Sequence, residues 1–341
     1  MKTSPLIRCL FVLGCAPAAA CAAPGVAASP AHAAAPADAS STLTRDAVNA
    51  ASADAPLKPG EKGAAVLRAQ VLLDRAHFSP GEIDASYGTN MRRAIAGFQA
   101  SHGLNASGEM DAPTWAELQK DGAPALIDVT LSDDDVAGPF QPIPDDLMAQ
   151  AKLDALTYAS PIEKLGEIFH VSPDLLGQLN PGKDFGKAGE TLVVPNVRDE
   201  APLPAIARVV VDRSDSTVAL VDEGGTVVAQ YPASTGSSHD PLPIGQWKIL
   251  GVGHDPDFHY NPKLFWDAKS SQSKAVIKPG PNNPVGVVWI DLSKPHYGIH
   301  GTPEPSHVGK TQSHGCIRLT NWSALEVSRA VKPNMPAILQ P

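Results

Sequence analysis

Two short runs near the C-terminus decide how the chain is read: Tyr297-Gly298-Ile299-His300-Gly301-Thr302, and then Ser313-His314-Gly315-Cys316-Ile317-Arg318-Leu319. A thiol is useful as a nucleophile because it attacks as a thiolate, and a nearby imidazole can take its proton. Gly315 beside the cysteine permits close approach of a substrate and exposes backbone N–H groups that could hold an oxyanion. Four histidines crowd this region, at 296, 300, 307 and 314. Together these residues contain every part of a Cys/His acyl-transfer site. His296 and His300 lie four apart, and His307, His314 and Cys316 could extend a zinc set. Against zinc, Pro295 and Gly298 oppose a helix that would put the first two on one face, and Glu304 is the only carboxylate in the cluster.

Working outward, the surrounding chain reads as strands. Arg208–Asp212, Thr217–Asp222, Thr226–Tyr231, Gln246–Gly251 and Val285–Leu292 are β-branched runs, and Glu223-Gly224-Gly225 makes a hairpin turn between the second and third. Pro241, Pro243, Pro279, Pro281 and Pro284 mark long loops. The expectation is a mainly β domain with functional loops. A His-Gly about sixteen residues before Ser-His-Gly-Cys-Ile-Arg-Leu resembles the signature of the L,D-transpeptidases, the YkuD-type catalytic domain, over residues 206–340. Pro243-Ile244-Gly245 and Asn283-Pro284-Val285-Gly286 extend the likeness. The resemblance implies a YkuD-like β-sandwich, with Cys316 as nucleophile and His300 as its base, oriented by the Gly301 carbonyl. It further implies an oxyanion hole around His314, Gly315 and Cys316, a substrate groove lined by Ser313, His314 and Arg318, and neither metal nor cofactor. The implied reaction is attack on the tetrapeptide stems of peptidoglycan, release of D-Ala from a thioester acyl-enzyme, and transfer to an amine in a 3→3 cross-link. Water, a D-amino acid or an envelope lipoprotein lysine are other acceptors in the family, and carbapenems are implied inhibitors. A zinc-dependent wall hydrolase and a non-catalytic wall-binding protein are the competing readings.

Upstream, two smaller modules precede this domain. Between residues 58 and 120, Val66, Ala69, Leu73 and Ala76 share one helical face, as do Met91, Ile95 and Phe98. Asp111 and Pro113 announce a third helix carrying Trp115 and Leu118. With Gln70, Phe98-Gln99 and Gly103-Leu104, the segment resembles a three-helix peptidoglycan-binding domain. Residues 121–155 read as a connector rich in Asp and Pro, with Asp133-Asp134-Asp135 a solvated charge run. In 156–197, Ser160-Pro161-Ile162-Glu163 reads as a capping box and Ser172-Pro173 opens a second helix. The expected strand–helix–helix–strand order looks like a lysin motif, a binder of glycan strands, although its usual opening Gly-Asp-Thr is absent. Both modules are expected to hold the enzyme on the wall without taking part in chemistry.

The remaining sequence bounds location. Residues 1–33 combine Lys2 and Arg8, an apolar Ala-rich run and Ala31-His32-Ala33, which reads as a secretory signal; Cys15 or Cys21 supplies an alternative, lipidated start. Residues 34–57, rich in Ala, Pro, Ser and Asp, read as a flexible tether. After the signal one cysteine remains of four, Cys316, and no transmembrane segment is expected. The whole chain of 341 residues carries a formal charge of −9, and removing Lys2 and Arg8 takes it to −11. That acidity argues against nucleic acid as a partner. The signal and the family resemblance imply a periplasmic or wall-associated enzyme, with a lipid anchor as the alternative.

Overall fold

The computed structural model describes residues 43–52, 56–197 and 202–341, so the signal, and much of the tether, lie outside the described residues. Within residues 43–57 the tether reading needs correction. Thr44 caps a helix α1 (Arg45–Ala50), Val48 is fully buried, and the Asn49 amide exchanges hydrogen bonds with the Leu126 backbone. Composition hid this because one apolar residue and one amide suffice to anchor two turns.

The three expected helices form as α2 (Ala64–Arg75), α3 (Thr89–Ser101) and α4 (Ala112–Leu118). Asp111 caps α4 by accepting the Thr114 N–H, as Ser, Thr, Asp and Asn do at helix starts. Val66, Ala69, Leu73, Met91, Ile95, Phe98, Trp115 and Leu118 make one buried cluster. Gln99 is fully buried and bonds to Gly108, Glu109 and Thr114, which explains a glutamine on an otherwise apolar face.

The next module begins earlier than expected. Its first strand is β1 (Leu126–Thr130), inside the stretch read as a connector, and it pairs antiparallel with β2 (Thr191–Pro195). Between them lie two single-turn helices, α5 (Asp133–Val136) and α6 (Leu147–Gln150), then α7 (Pro161–Ile168) and α8 (Pro173–Leu179). The acidic run opens α5, where Ser132 and Asp135 cap each other and carboxylates suit the positive end of the helix. Ser160 and Ser172 cap α7 and α8, but Glu163 reaches back to the Ala159 N–H in place of the Ser160 N–H. Leu156, expected to open the module, instead bonds through its backbone to Pro279 and Asn282 of the catalytic domain.

These modules are not separate beads. Leu67 and Val71, on the other face of α2, share a core with Val48, Leu126, Leu165, Phe169, Leu175 and Leu192. A helix hydrophobic on two sides is buried between two partners.

The C-terminal domain is one sheet of eight strands: β3 (Arg208–Asp212), β4 (Thr217–Val221), β5 (Val227–Pro232), β6 (Gly245–His254), β9 (Val288–Leu292), β10 (Gly298–His300), β11 (Ile317–Arg318) and β12 (Pro336–Gln340). A separate ribbon of β7 (Phe258–Tyr260) and β8 (Ala275–Ile277) stands in the long loop, and α9 (Asn321–Ala330) follows β11. The order across the sheet is β11-β10-β9-β6-β12-β3-β4-β5. The ten-residue β6 pairs β12 through its first half and β9 through its second, with a register shift between. Val209, Val211, Val218 and Leu220 from one limb meet Val288, Ile290, Leu292, Ile299 and Ile317 from the other in one buried cluster. The sheet therefore folds over itself into the expected sandwich, with a bulged central strand as the crease.

Candidate active site

Strand alternation places the chemistry. In β9, β10 and β11, Val288, Ile290, Ile299 and Ile317 point into the core, so their neighbours point the other way. Trp289 pairs with His300, Asp291 with Gly298, and His300 with Arg318; Cys316 immediately precedes Ile317. Trp289, Gly298, His300, Cys316 and Arg318 thus share the face away from the core. The two motifs, sixteen residues apart in sequence, are adjacent because β10 and β11 are parallel neighbours.

His300 is buried, stacked on Trp289 with ring centroids 5.4 Å apart, and its Nδ1–H donates to the Gly301 carbonyl at 2.6 Å. A carbonyl only accepts, so a neutral ring keeps its lone pair on Nε2. Burial pushes the imidazole down to about 4, which the Gly301 carbonyl opposes and Arg318 assists. Cys316 is half-buried, its Sγ 3.7 Å from the His296 carbonyl. Burial raises the thiol to about 11, against the lowering pull of the Gly298 N–H and Arg318. Burial thus raises the thiol and lowers the imidazole, and both shifts oppose ionisation of the free groups.

Glycines make the close approaches. Gly315 has φ +100°, and a Cβ there would stand 2.8 Å from the Tyr297 ring. A Cβ on Gly298 would meet the Trp289 ring at 2.5 Å.

Other expected residues are placed differently. Ser313 is buried and its hydroxyl donates to the Cys316 carbonyl at 2.5 Å, so it holds the loop. His314 lies on the surface, paired through Nε2 with Asp267 at 3.0 Å and flanked by Phe265 and Trp266. Arg318 reaches Thr311 and the Gln312 carbonyl. Trp266 is 58% exposed and stacks on His239. Tyr260, by contrast, is buried in the ribbon and bonds to Gln272. His296 occupies a turn at φ +68°. Among the described residues no three His, Cys, Asp or Glu side chains gather as a metal-ligating group, and no helix is long and apolar enough to cross a membrane.

Sequence reasoning missed Trp289, Tyr297 and Asn321. The period-two pattern of β9 put Trp289 opposite the core, a signal that was available once His300 was on the adjacent strand. Asn321, 1% exposed, donates to Glu167 of α7 and to the Pro281 carbonyl, and nothing local in the sequence marks it.

Residues 206–339 match the family model described as the L,D-transpeptidase catalytic domain, and residues 62–118 match "Putative peptidoglycan binding domain". The chain is 31% identical over 175 residues to "Putative L,D-transpeptidase YkuD" of Bacillus licheniformis, a match covering 51% of this chain and 88% of that protein. The protein of the same name from Bacillus subtilis is 30% identical over 167 residues, covering 49% and 84%. Among solved structures, L,D-transpeptidase 3 from Mycobacterium tuberculosis, in complex with a faropenem-derived adduct, is 18% identical, with 45% of this chain and 75% of that chain covered and a TM-score of 0.34.

Proposed function

The chain belongs to the L,D-transpeptidase family, and from that premise we propose that it is a cysteine-dependent acyltransferase acting on the tetrapeptide stems of peptidoglycan. The observation that carries the reading is the buried His300 ring, its Nδ1–H held by the Gly301 carbonyl and its Nε2 left as a proton acceptor on the face that bears Cys316. Cys316 Sγ attacks the carbonyl of the bond that joins the diamino acid to the terminal D-Ala. The thiol proton passes to His300 Nε2, which frees the sulfur electron pair to form the C–S bond. The oxyanion is met by N–H groups around His314, Gly315 and Cys316, where the left-handed Gly315 turns the backbone. His300 then gives its proton to the departing amine, D-Ala leaves, and a thioester remains. An amine from a second stem attacks the thioester, passes a proton to His300, and the cysteine is released.

Ser313 supports the reaction by fixing the Cys316 carbonyl, and Arg318 by stabilising negative charge on sulfur. The matching peptidoglycan-binding module supports wall peptidoglycan as the partner, with action outside the cytoplasm. The glycan-binding reading of residues 156–197 and an envelope lipoprotein as acceptor belong to the same proposal.

Mass spectrometry of products from a purified disaccharide-tetrapeptide tests it. A 3→3 dimer with loss of D-Ala is the expected product. A tripeptide instead would make the protein a carboxypeptidase, and an unchanged substrate would remove the assignment.

A further inference from the structure

Asn321 opens α9 with its amide wedged between two glycine backbones. Its Oδ1 accepts the Val287 N–H at 3.3 Å and lies so close to both Gly286 and Gly301 that neither has room for a Cβ. The Asn321 Cα would sit 3.3 Å from a Cβ on Gly301. The same Gly301 donates its N–H to the Val288 carbonyl and presents its own carbonyl to His300 Nδ1. Wherever Asn321 stands, the Gly301 backbone must follow.

The other end of that amide is held from outside the catalytic domain. Asn321 Nδ2 donates to Glu167 Oε1 at 2.8 Å, and the Tyr158 hydroxyl donates to Oε2 at 3.2 Å. Glu167 lies on α7 of the second accessory module. One residue further along α9, Trp322 stacks on His170 of that module at 5.0 Å. Burial raises the carboxyl to about 8, and the hydrogen bonds from Asn321 and Tyr158 oppose that rise.

We propose that Glu167 is a positioning residue for acyl transfer, acting through Asn321 on the Gly301 carbonyl that orients His300. This rests on the reading of His300 as the base of Cys316. The accessory module is then part of the catalytic apparatus as well as a wall-directed appendage. Loss of one hydrogen bond to a buried amide is enough to matter, since a shift of 1 Å in a catalytic group costs rate steeply.

The test uses the full chain with Glu167→Ala and Glu167→Gln. Readouts are kcat and KM for the disaccharide-tetrapeptide, and the downfield proton resonance of His300 Nδ1–H. Glu167→Ala should lower kcat about tenfold, on the scale of one hydrogen bond, with KM within about twofold, and should shift the resonance. Glu167→Gln keeps an oxygen for Asn321 Nδ2 and should restore both readouts. A folded Glu167→Ala with unchanged kcat and resonance overturns the proposal, as does a fall in kcat that Gln fails to rescue. Should Glu167→Ala not fold, Asn321→Ser carries the same expectations: lower kcat with a moved resonance supports the link, and an unmoved resonance overturns it. Cys316→Ala is run alongside. If it still turns over, the cysteine reading falls; if it is inert while Glu167→Ala is normal, only the present proposal falls.

Discussion

Replacing Gly298 by alanine drives a new Cβ into the Trp289 ring. The new Cβ would lie 2.5, 2.6 and 2.9 Å from Trp289 ring atoms, well inside contact distance. The indole must swing away, losing its stack on His300 and its bond to Asp291 at 3.3 Å. An aromatic stack contributes about 1 kcal/mol and overpacking a filled site costs about 2 kcal/mol, so the stability loss is about 3 kcal/mol. For a chain of this size that lowers Tm by about 5 °C. Because the displaced wall is the one against His300, the rate of Cys316 acylation by a chromogenic β-lactam should fall at least tenfold, a fraction of what a general base supplies. Thermal unfolding and stopped-flow acylation read the two effects together. Gly177→Ala is the control, since nothing lies within 4 Å of its Cβ and it sits in α8, where alanine stabilises by about 0.5–1 kcal/mol. A Gly298→Ala protein with wild-type Tm and acylation rate would refute the packing account of His300.

Other outcomes follow from the same structure. Burial raises Glu82 to about 7 and Glu167 to about 8, above their unfolded values near 4.5, so the stability they contribute is complete below pH 4.5 and lost as pH rises through 7 to 8. His300 acts oppositely: held near 4, it contributes above pH 6.5 and loses that contribution as pH falls towards 4. Calorimetry should therefore show Tm falling between pH 6 and 8.5 by roughly 2 kcal/mol equivalent, with Glu167→Gln flattening the upper part; a Tm rising over that range contradicts the assignment. Deleting residues 43–197 should lower both Tm and turnover of soluble tetrapeptide, because Asn90 and Arg93 of α3 hold the Val308 and Gly309 carbonyls just before the cysteine loop. Unchanged soluble turnover in the truncated chain would restore the purely tethering role first expected of these modules.

Much of this was legible beforehand for identifiable reasons. Amphipathic spacing located α2 and α3, and the start signals Asp111 and Pro113 located α4, whose Trp115 and Leu118 join the same buried cluster. The Ser-His-Gly-Cys run stood out as the candidate active loop because a thiol, a glycine and an imidazole have few other reasons to stand together. What escaped was pairing at long range. Five residues at Leu126–Thr130 are too short to stand out from a Pro/Asp-rich stretch, and become a strand only when Thr191–Pro195 arrives beside them. The independence of the modules was also misjudged, since Ile83 beside Val171, Asp74 beside His170 and Glu167 beside Asn321 join elements far apart in sequence.

The central claim is a thioester on Cys316 formed with His300 as base. Intact-protein mass spectrometry, after rapid mixing with a disaccharide-tetrapeptide and acid quench, measures it directly. The account predicts a single adduct equal to the substrate less D-Ala, released by hydroxylamine and confined by digestion to the peptide containing Cys316. The adduct should be absent in Cys316→Ala and should form roughly 10²-fold more slowly in His300→Ala, with partial recovery at high pH. An adduct on any other residue, or product release by Cys316→Ala at the wild-type rate, would contradict it.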